Sequence, residues 1–144
     1  MASVVKISEA AALALHAMAY LAAQPETLVS TKKIAQRLRA SEAHLSKVMQ
    51  RMVHAGFVRS IPGPHGGFAL VREPGDISLR DVFEAMEGRL ASEACMFAGP
   101  VCGSRTCIMG EVMKPALKRL HDYLRDRSLA DVAQVLAKRA RKRR

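Results

Sequence analysis

STKKIAQRLRASEAHLSKVMQRMVHAGFVRSIPGPHGGFAL, from Ser30 to Leu70, is the stretch on which the fold turns. Apolar residues recur at helical spacing twice within it, first Ile34, Ala35 and Leu38, then Leu45, Val48, Met49, Met52 and Val53. Each set forms one stripe of an amphipathic helix. Ser30 and Ser41 stand where a hydroxyl can accept from free amides of the first turn, and Gly56 stands where a helix commonly ends. The period then shortens. Phe57-Val58-Arg59-Ser60-Ile61 and Phe68-Ala69-Leu70-Val71 read as paired strands, with the breaker-rich turn Pro62-Gly63-Pro64-His65-Gly66-Gly67 between them. Helix, short turn, helix and two-stranded ribbon is the order of a winged helix-turn-helix.

Upstream, Ile7, Ala10, Ala11, Ala14, Leu15, Met18 and Leu21 predict a helix over 8–23, with Ser8 as its cap and Pro25 just beyond it. Its apolar run is too short for a membrane span and lacks the basic leader of a signal peptide, so it reads as a buried helix of a cytoplasmic protein. Downstream, Ser78-Leu79-Arg80-Asp81 resembles a capping box and opens a short helix through Met86. Residues 88–107 show no period and read as a loop. A long helix follows over 108–126, striped by Met109, Met113, Leu117, Leu120 and Leu124, and Ser128 begins a last helix. The expected fold is mostly α with a small β-wing. It divides into a DNA-binding domain at 1–87, a cysteine-bearing loop at 88–107, a dimerisation helix and C-terminal helix at 108–137, and a basic disordered tail at 138–144. The late stripe resembles a coiled-coil seam, which predicts a homodimer with two reading helices about one DNA turn apart.

The chain's 144 residues carry a net charge of +10, unevenly distributed. Residues 31–72 hold eight Lys or Arg against Glu42 alone, and 138–144 add six bases, whereas 73–137 hold eight bases against ten acids. Clustering of this kind is the footprint of a polyanion binder. An aromatic content of 4% leaves no stacking platform for single strands, so double-stranded DNA is the expected partner. The second helix of the pair would enter the major groove and turn Glu42, His44, Ser46, Lys47, Gln50 and Arg51 toward it. Ser46, Lys47, Gln50 and His44 are types that bond base edges. Ser30, Thr31, Lys32 and Arg59 suit phosphate contacts, and His65 and Gly66 sit on the wing. No phosphate-binding loop, Gly-x-Ser-x-Gly elbow or His-Glu-x-x-His pair is present, so an enzyme is not expected. The tail would add salt-dependent affinity without sequence preference.

Five segments together carry a family resemblance: Ile34-Ala35-Gln36-Arg37-Leu38, Leu45-Ser46-Lys47-Val48-Met49, Ala55-Gly56-Phe57-Val58-Arg59-Ser60, Gly63-Pro64-His65-Gly66-Gly67-Phe68-Ala69-Leu70 and Ile77-Ser78-Leu79-Arg80-Asp81-Val82. The chain resembles the Rrf-two family of winged-helix regulators up to about residue 137, most specifically in the glycine-rich wing after Ala-Gly-Phe-Val. Two positions depart from the pattern. Pro62 stands where many members carry a wing Arg, and Ser46 stands where one cluster-holding member carries a Glu that tunes site choice. The operator of a relative therefore does not transfer.

Cys95, Cys102 and Cys107 fall within one loop, spaced x6 and x4. An odd number of clustered thiols argues against a disulfide framework and for soft-metal ligation or thiol chemistry. The resemblance implies an iron–sulfur cluster, 2Fe–2S or 4Fe–4S, on these three residues, although family spacings are nearer x5 and x5. Three thiolates leave one ligand to find. The resemblance points to Glu9, matching an N-terminal carboxylate that reaches over from the other subunit in some members. Gly110 stands where others place a His. Glu9 also has an ordinary use as an acid in the first turn of a helix. The alternative is the same DNA-binding regulator without a cluster, switched by thiols, zinc or a small ligand.

Overall fold

The computed structural model describes residues 7–90 and 107–142. In chain order the elements are α1 (Glu9–Ala22), α2 (Thr31–Leu38), α3 (Glu42–His54), β1 (Val58–Ile61), β2 (Gly67–Leu70), α4 (Leu79–Glu87), α5 (Gly110–Asp126) and α6 (Leu129–Lys142), with a 3-10 turn at Pro74–Asp76. The mostly helical fold with a two-stranded wing is as expected.

Helix α1 is the centre. Ala11, Leu13, Ala14, Ala17, Met18, Ala19, Leu21 and Ala22 are buried, and α2, α3, α4, α6 and β2 all pack on it. Its alanines let neighbours approach closely from several directions. Breadth of apolar surface is therefore the right reading of residues 10–23: the helix is enclosed on most of its circumference. Ile34, Leu45, Val48, Met49, Met52, Ile77 and Val82 complete an aliphatic core with almost no exposure.

The helix pair forms as its sequence dictates. Ser30 Oγ accepts from Lys33 N at 3.2 Å, and Ser41 Oγ accepts from His44 N at 3.1 Å. Between the helices the chain turns through Arg39 at φ 54°, a left-handed conformation that leaves no trace in residue type. Gly56 adopts φ 79° just past α3, as a C′ glycine should. Strands β1 and β2 pair antiparallel from Val58↔Leu70 to Ile61↔Gly67, one residue earlier on the second strand than periodicity suggested.

Two glycines at the base of the wing turn are sterically required. A Cβ on Gly66 would lie 1.8 Å from the Ile61 carbonyl oxygen, and one on Gly67 would lie 2.4 Å from that of Val29. Their closeness lets Val29, the residue before the Ser30 cap, bridge to Phe68 through two hydrogen bonds of 2.9 Å.

Helices α4 and α6 start alike and start together. Ser78 N donates to Asp81 Oδ2 at 2.9 Å while Asp81 N donates to Ser78 Oγ at 3.0 Å, completing the expected capping box. Ser128 and Asp131 repeat the arrangement at 2.9 and 3.3 Å. The Ser128 amide holds the Asp131 carboxyl below its ordinary pKa. Leu79 N donates to Arg127 O and Leu129 N to Ile77 O, both at 2.9 Å, so the two helix starts are cross-tied.

Two further features concern the late helices. The late helices do not stand outside the core: Leu124, Leu129 and Ala133 belong to the same buried cluster as residues 11–86, and Leu120 packs against it. Of the stripe expected at an intersubunit seam, Leu117 and Leu124 are buried, Met113 and Leu120 are half-buried, and Met109 is exposed. The tail is not wholly irregular either, since α6 continues through Lys142. Lys, Arg and Ala are all strong helix formers, so a basic run can extend a helix that packing has already nucleated. Among the described residues no helix is long and apolar enough to cross a membrane.

Two substitutions test this architecture. Leu129→Ala removes a side chain with no exposure and is expected to cost roughly 2–5 kcal/mol, lowering a single cooperative melt of the whole chain. A melt that leaves the 7–86 core unchanged would show α6 to be an appendage. Gly66→Ala is expected to disorder the wing while leaving far-ultraviolet helicity near wild type, and to abolish DNA binding. Undiminished binding would contradict the steric requirement.

Candidate nucleic-acid interface

The burial pattern of α3 defines its outward face. Leu45, Val48, Met49 and Met52 are buried against the core. The opposite row, at spacings 4, 3 and 4, is Ala43, Lys47, Gln50 and His54, all exposed. Arg51 is exposed beside the row, and Ser46 is half-buried on its other flank. His44 is half-buried and lies nearer the core boundary, and exposed Glu42 sits in the first turn, where the helix dipole favours an acid. Lys47, Gln50 and Arg51 thus take the positions expected of them, while Ala43 and His54 join the face that sequence reading gave to others. The complement of the buried stripe was the available signal for both.

Around this helix, Lys32 and Lys33 are exposed in the first turn of α2, and Thr31 is half-buried. Ser30 Oγ is already engaged as a cap, so its hydroxyl proton is what it retains for an external acceptor. Arg59 is exposed on β1 opposite Ala69, on the ribbon face away from Phe68. His65 is exposed at the wing tip, and Gly66 is half-buried beneath it. Ion pairs among the described residues are confined to α5, where Asp122 meets Lys118 and Arg125, and Arg125 meets Asp126. The cations of α2, α3 and β1 are therefore unneutralised, and their field is directed at solvent. Arg72 differs: its guanidinium lies 5.9 Å from the Phe57 ring centroid and donates to Asp76 O at 3.0 Å, bracing the ribbon's exit.

Of the three cysteines, Cys107 alone lies within the described residues, and Cys95 and Cys102 fall outside them. Cys107 is a half-exposed free thiol one turn ahead of α5, with its carbonyl accepting from Gly110 N at 3.0 Å. A Cβ at Gly110 would stand 3.1 Å from Cys107 Cβ. Glycine there lets the thiol sit tightly against the helix start, and a larger side chain would press on it. Glu9 is exposed in the first turn of α1. The preceding Ser8 N donates to Glu87 Oε1 at 3.0 Å, and Leu90 N donates to Glu84 Oε1 at 3.3 Å. The start of Glu9's helix and the entry to the cysteine segment are thus both tied to the C-terminal half of α4. Among the described residues no three His, Cys, Asp or Glu side chains converge as a metal site. The donor chemistry of the three cysteines, soft thiols, suits an iron–sulfur cluster.

Comparison with known proteins agrees with this geometry. The Rrf2 family model, described as an iron-dependent transcriptional regulator, matches residues 7–135. The HTH-type transcriptional regulator NsrR of Bacillus subtilis is 32% identical over 133 residues, covering 85% of this chain and 90% of that protein. Among solved structures, CymR, the global cysteine regulator of B. subtilis, superposes with a TM-score of 0.76 at 29% identity over 91% of this chain and 98% of its own. IscR of T. potens gives a TM-score of 0.71 at 29% identity, covering 92% and 88% respectively. These relatives are regulators and not enzymes, and the resemblance carried by the helix pair and wing extends over nearly the whole chain. The chain is a member of the Rrf2 family of helix-turn-helix transcriptional regulators.

Proposed function

We propose that the protein is a sequence-specific repressor that binds a double-stranded operator as a homodimer, its affinity set by an iron–sulfur cluster on Cys95, Cys102 and Cys107 with Glu9 as fourth ligand. The observation that carries the DNA-binding part is the row Ala43, Lys47, Gln50 and His54 on α3, flanked by unneutralised Lys32, Lys33 and Arg59. Side chains of α3 read base edges, while the cations and the wing residues His65 and Gly66 position the backbone. Ser46, half-buried at the row's edge, adds a short donor and acceptor near the N-terminal end, where recognition helices meet bases.

The cluster, when bound, supplies a group whose ligation responds to redox, nitric oxide or iron status. The chain's own residues do the coupling. Cys107 is fixed to the first turn of α5, α5 packs on α4, and α4 packs on both α1 and α3. A change of pull at Cys107 is thereby transmitted to the tilt of the reading helix. A second reading rests on the same half-exposed, unpaired Cys107 thiol: a regulator switched by thiol chemistry, zinc or a small ligand, with no cluster.

Dimerisation uses a different surface from the seam first expected. Ile108 is 87% exposed and Val112 64%. Tyr123 falls on the same side of α5, with the Arg127 guanidinium 5.7 Å from its ring centroid. This exposed apolar strip lies beside the buried Leu117 and Leu124 and faces away from the chain's own core, leaving it for a second copy.

Purification without oxygen from cells competent in cluster assembly, followed by visible absorption with iron and sulfide assays, tests the cofactor. A brown protein with bound sulfide is expected, with colour lost in Cys107→Ala. A colourless, iron-free wild type would favour the thiol or zinc reading. Val112→Asp is expected to shift the protein from dimer to monomer in sedimentation with helicity unchanged. A wild-type monomer, or a dimeric variant, would overturn the assigned face.

A further inference from the structure

A cleft of about 1160 Å³ separates α6 from the base of the wing. One wall is the small-residue face of α6, Ala130, Ala133, Gln134 and Ala137, and the other carries Arg59 and the end of β2. Its lining includes Thr27 and Leu28, three and two residues before the Ser30 cap of α2. The cleft therefore adjoins the segment that leads into α2 as well as the wing base. The next residue beyond Ala137 is exposed Lys138, and the α6 backbone continues helically past Arg139 and Arg141 to Lys142. Glu26 and Glu73 also line the cleft, so its interior is of mixed sign. Arg59 and Arg72 line it too, exposed Lys138 follows directly on the lining residue Ala137, and among the described residues no ion pair involves Arg59 or Lys138.

We infer that the basic end of α6, together with Arg59, forms a second DNA-contacting edge that holds the phosphate backbone flanking each half-site, outside the bases read by α3. This rests on the reading of the protein as an operator-binding regulator and extends its footprint. The helix is what gives the inference its geometry. A disordered basic tail would raise affinity for any nearby phosphate, including those within the half-site. A helical backbone anchored through Leu129 and Ala133 continues the basic sequence directly from Ala137, which lines the cleft with Arg59, and so acts only where the duplex reaches that far. Small residues on the cleft wall keep α6 near the ribbon without filling the space between them.

The test uses the full-length protein and a duplex that it selects from a randomised pool. That duplex is compared in two forms, trimmed to the two half-sites or extended by about one helical turn of scrambled sequence at each end. Two variants are measured, a truncation lacking residues 138–144 and a full-length Lys138→Gln, Arg139→Gln, Arg141→Gln, Lys142→Gln protein. The second keeps helix propensity and guards against loss of α6. Wild type is expected to bind the extended duplex about tenfold or more tighter at low salt, with both variants losing that gain and matching wild type on the trimmed one. On the extended duplex the variants' salt dependence should be shallower by about 0.9 in log–log slope for each phosphate contact given up. No gain from flanks in wild type, or an equal loss by the variants on both duplexes, would overturn the flank contact while leaving operator binding intact. Failure of the wild type to enrich any sequence from the pool would instead remove the operator-binding reading, and the inference with it.

Discussion

Two hydrogen bonds of 2.9 Å between Val29 and Phe68 hold the interface in register. Val29 is the last residue before the α2 cap, and Phe68 is a buried residue of β2, so the bridge fixes the wing to the start of the helix pair. A two-stranded hairpin by itself is marginal in water, and the bridge adds a third backbone partner to the packing of Phe68 on the core. The bridge in turn depends on Gly67, because any Cβ there would collide with the Val29 carbonyl. The glycine-rich wing is therefore less a flexible loop than a packing requirement: Gly66 admits the turn and Gly67 admits the neighbouring chain.

From that joint the structure propagates inward. Phe68 and Val29 are buried in the same cluster as Met18, Leu21 and Ile34, which ties the wing to α1 and α1 to the helix pair. Helix α1 can serve as a hub because its buried face is built from alanine, with larger side chains placed where neighbours leave room. The crossed hydrogen bonds linking Ile77, Leu79, Arg127 and Leu129 then fasten the C-terminal helices to the same body. A regulator assembled in this way couples its parts through packing: α4 touches α1, α3 and α5, and so stands between the cysteine-bearing segment and the reading helix.

The electrostatics follow a simple division. Helix α5 neutralises its charges locally through Lys118, Asp122, Arg125 and Asp126, and hydrogen bonding to these cations holds both aspartates below their ordinary pKa. Exposed pairs of this kind contribute little to stability, but those four charges cancel one another. The cations on α2, α3 and β1 have no such partners, and their field remains available to a polyanion.

Local sequence determined most of the elements. Serines at 8, 30, 41 and 78 cap the helices they precede, Gly56 closes α3, and the change of period at Phe57 marks the wing, because each is a short-range effect of hydrogen bonding or backbone sterics. The clustering of Cys95, Cys102 and Cys107 and the basic bias of residues 31–72 were equally legible, being properties of composition. Tertiary structure alone decided which faces were spent. The Leu117, Leu120 and Leu124 stripe had the same helical period whatever it met, and only the tertiary structure packs Leu120 and Leu124 against the cluster of residues 11–86. Ala43 and His54, by contrast, lie opposite the buried stripe of Leu45, Val48, Met49 and Met52, so helical periodicity alone places them on the outward row. Periodicity reveals that a helix has an apolar face, but what that face meets depends on contacts between residues far apart in the chain.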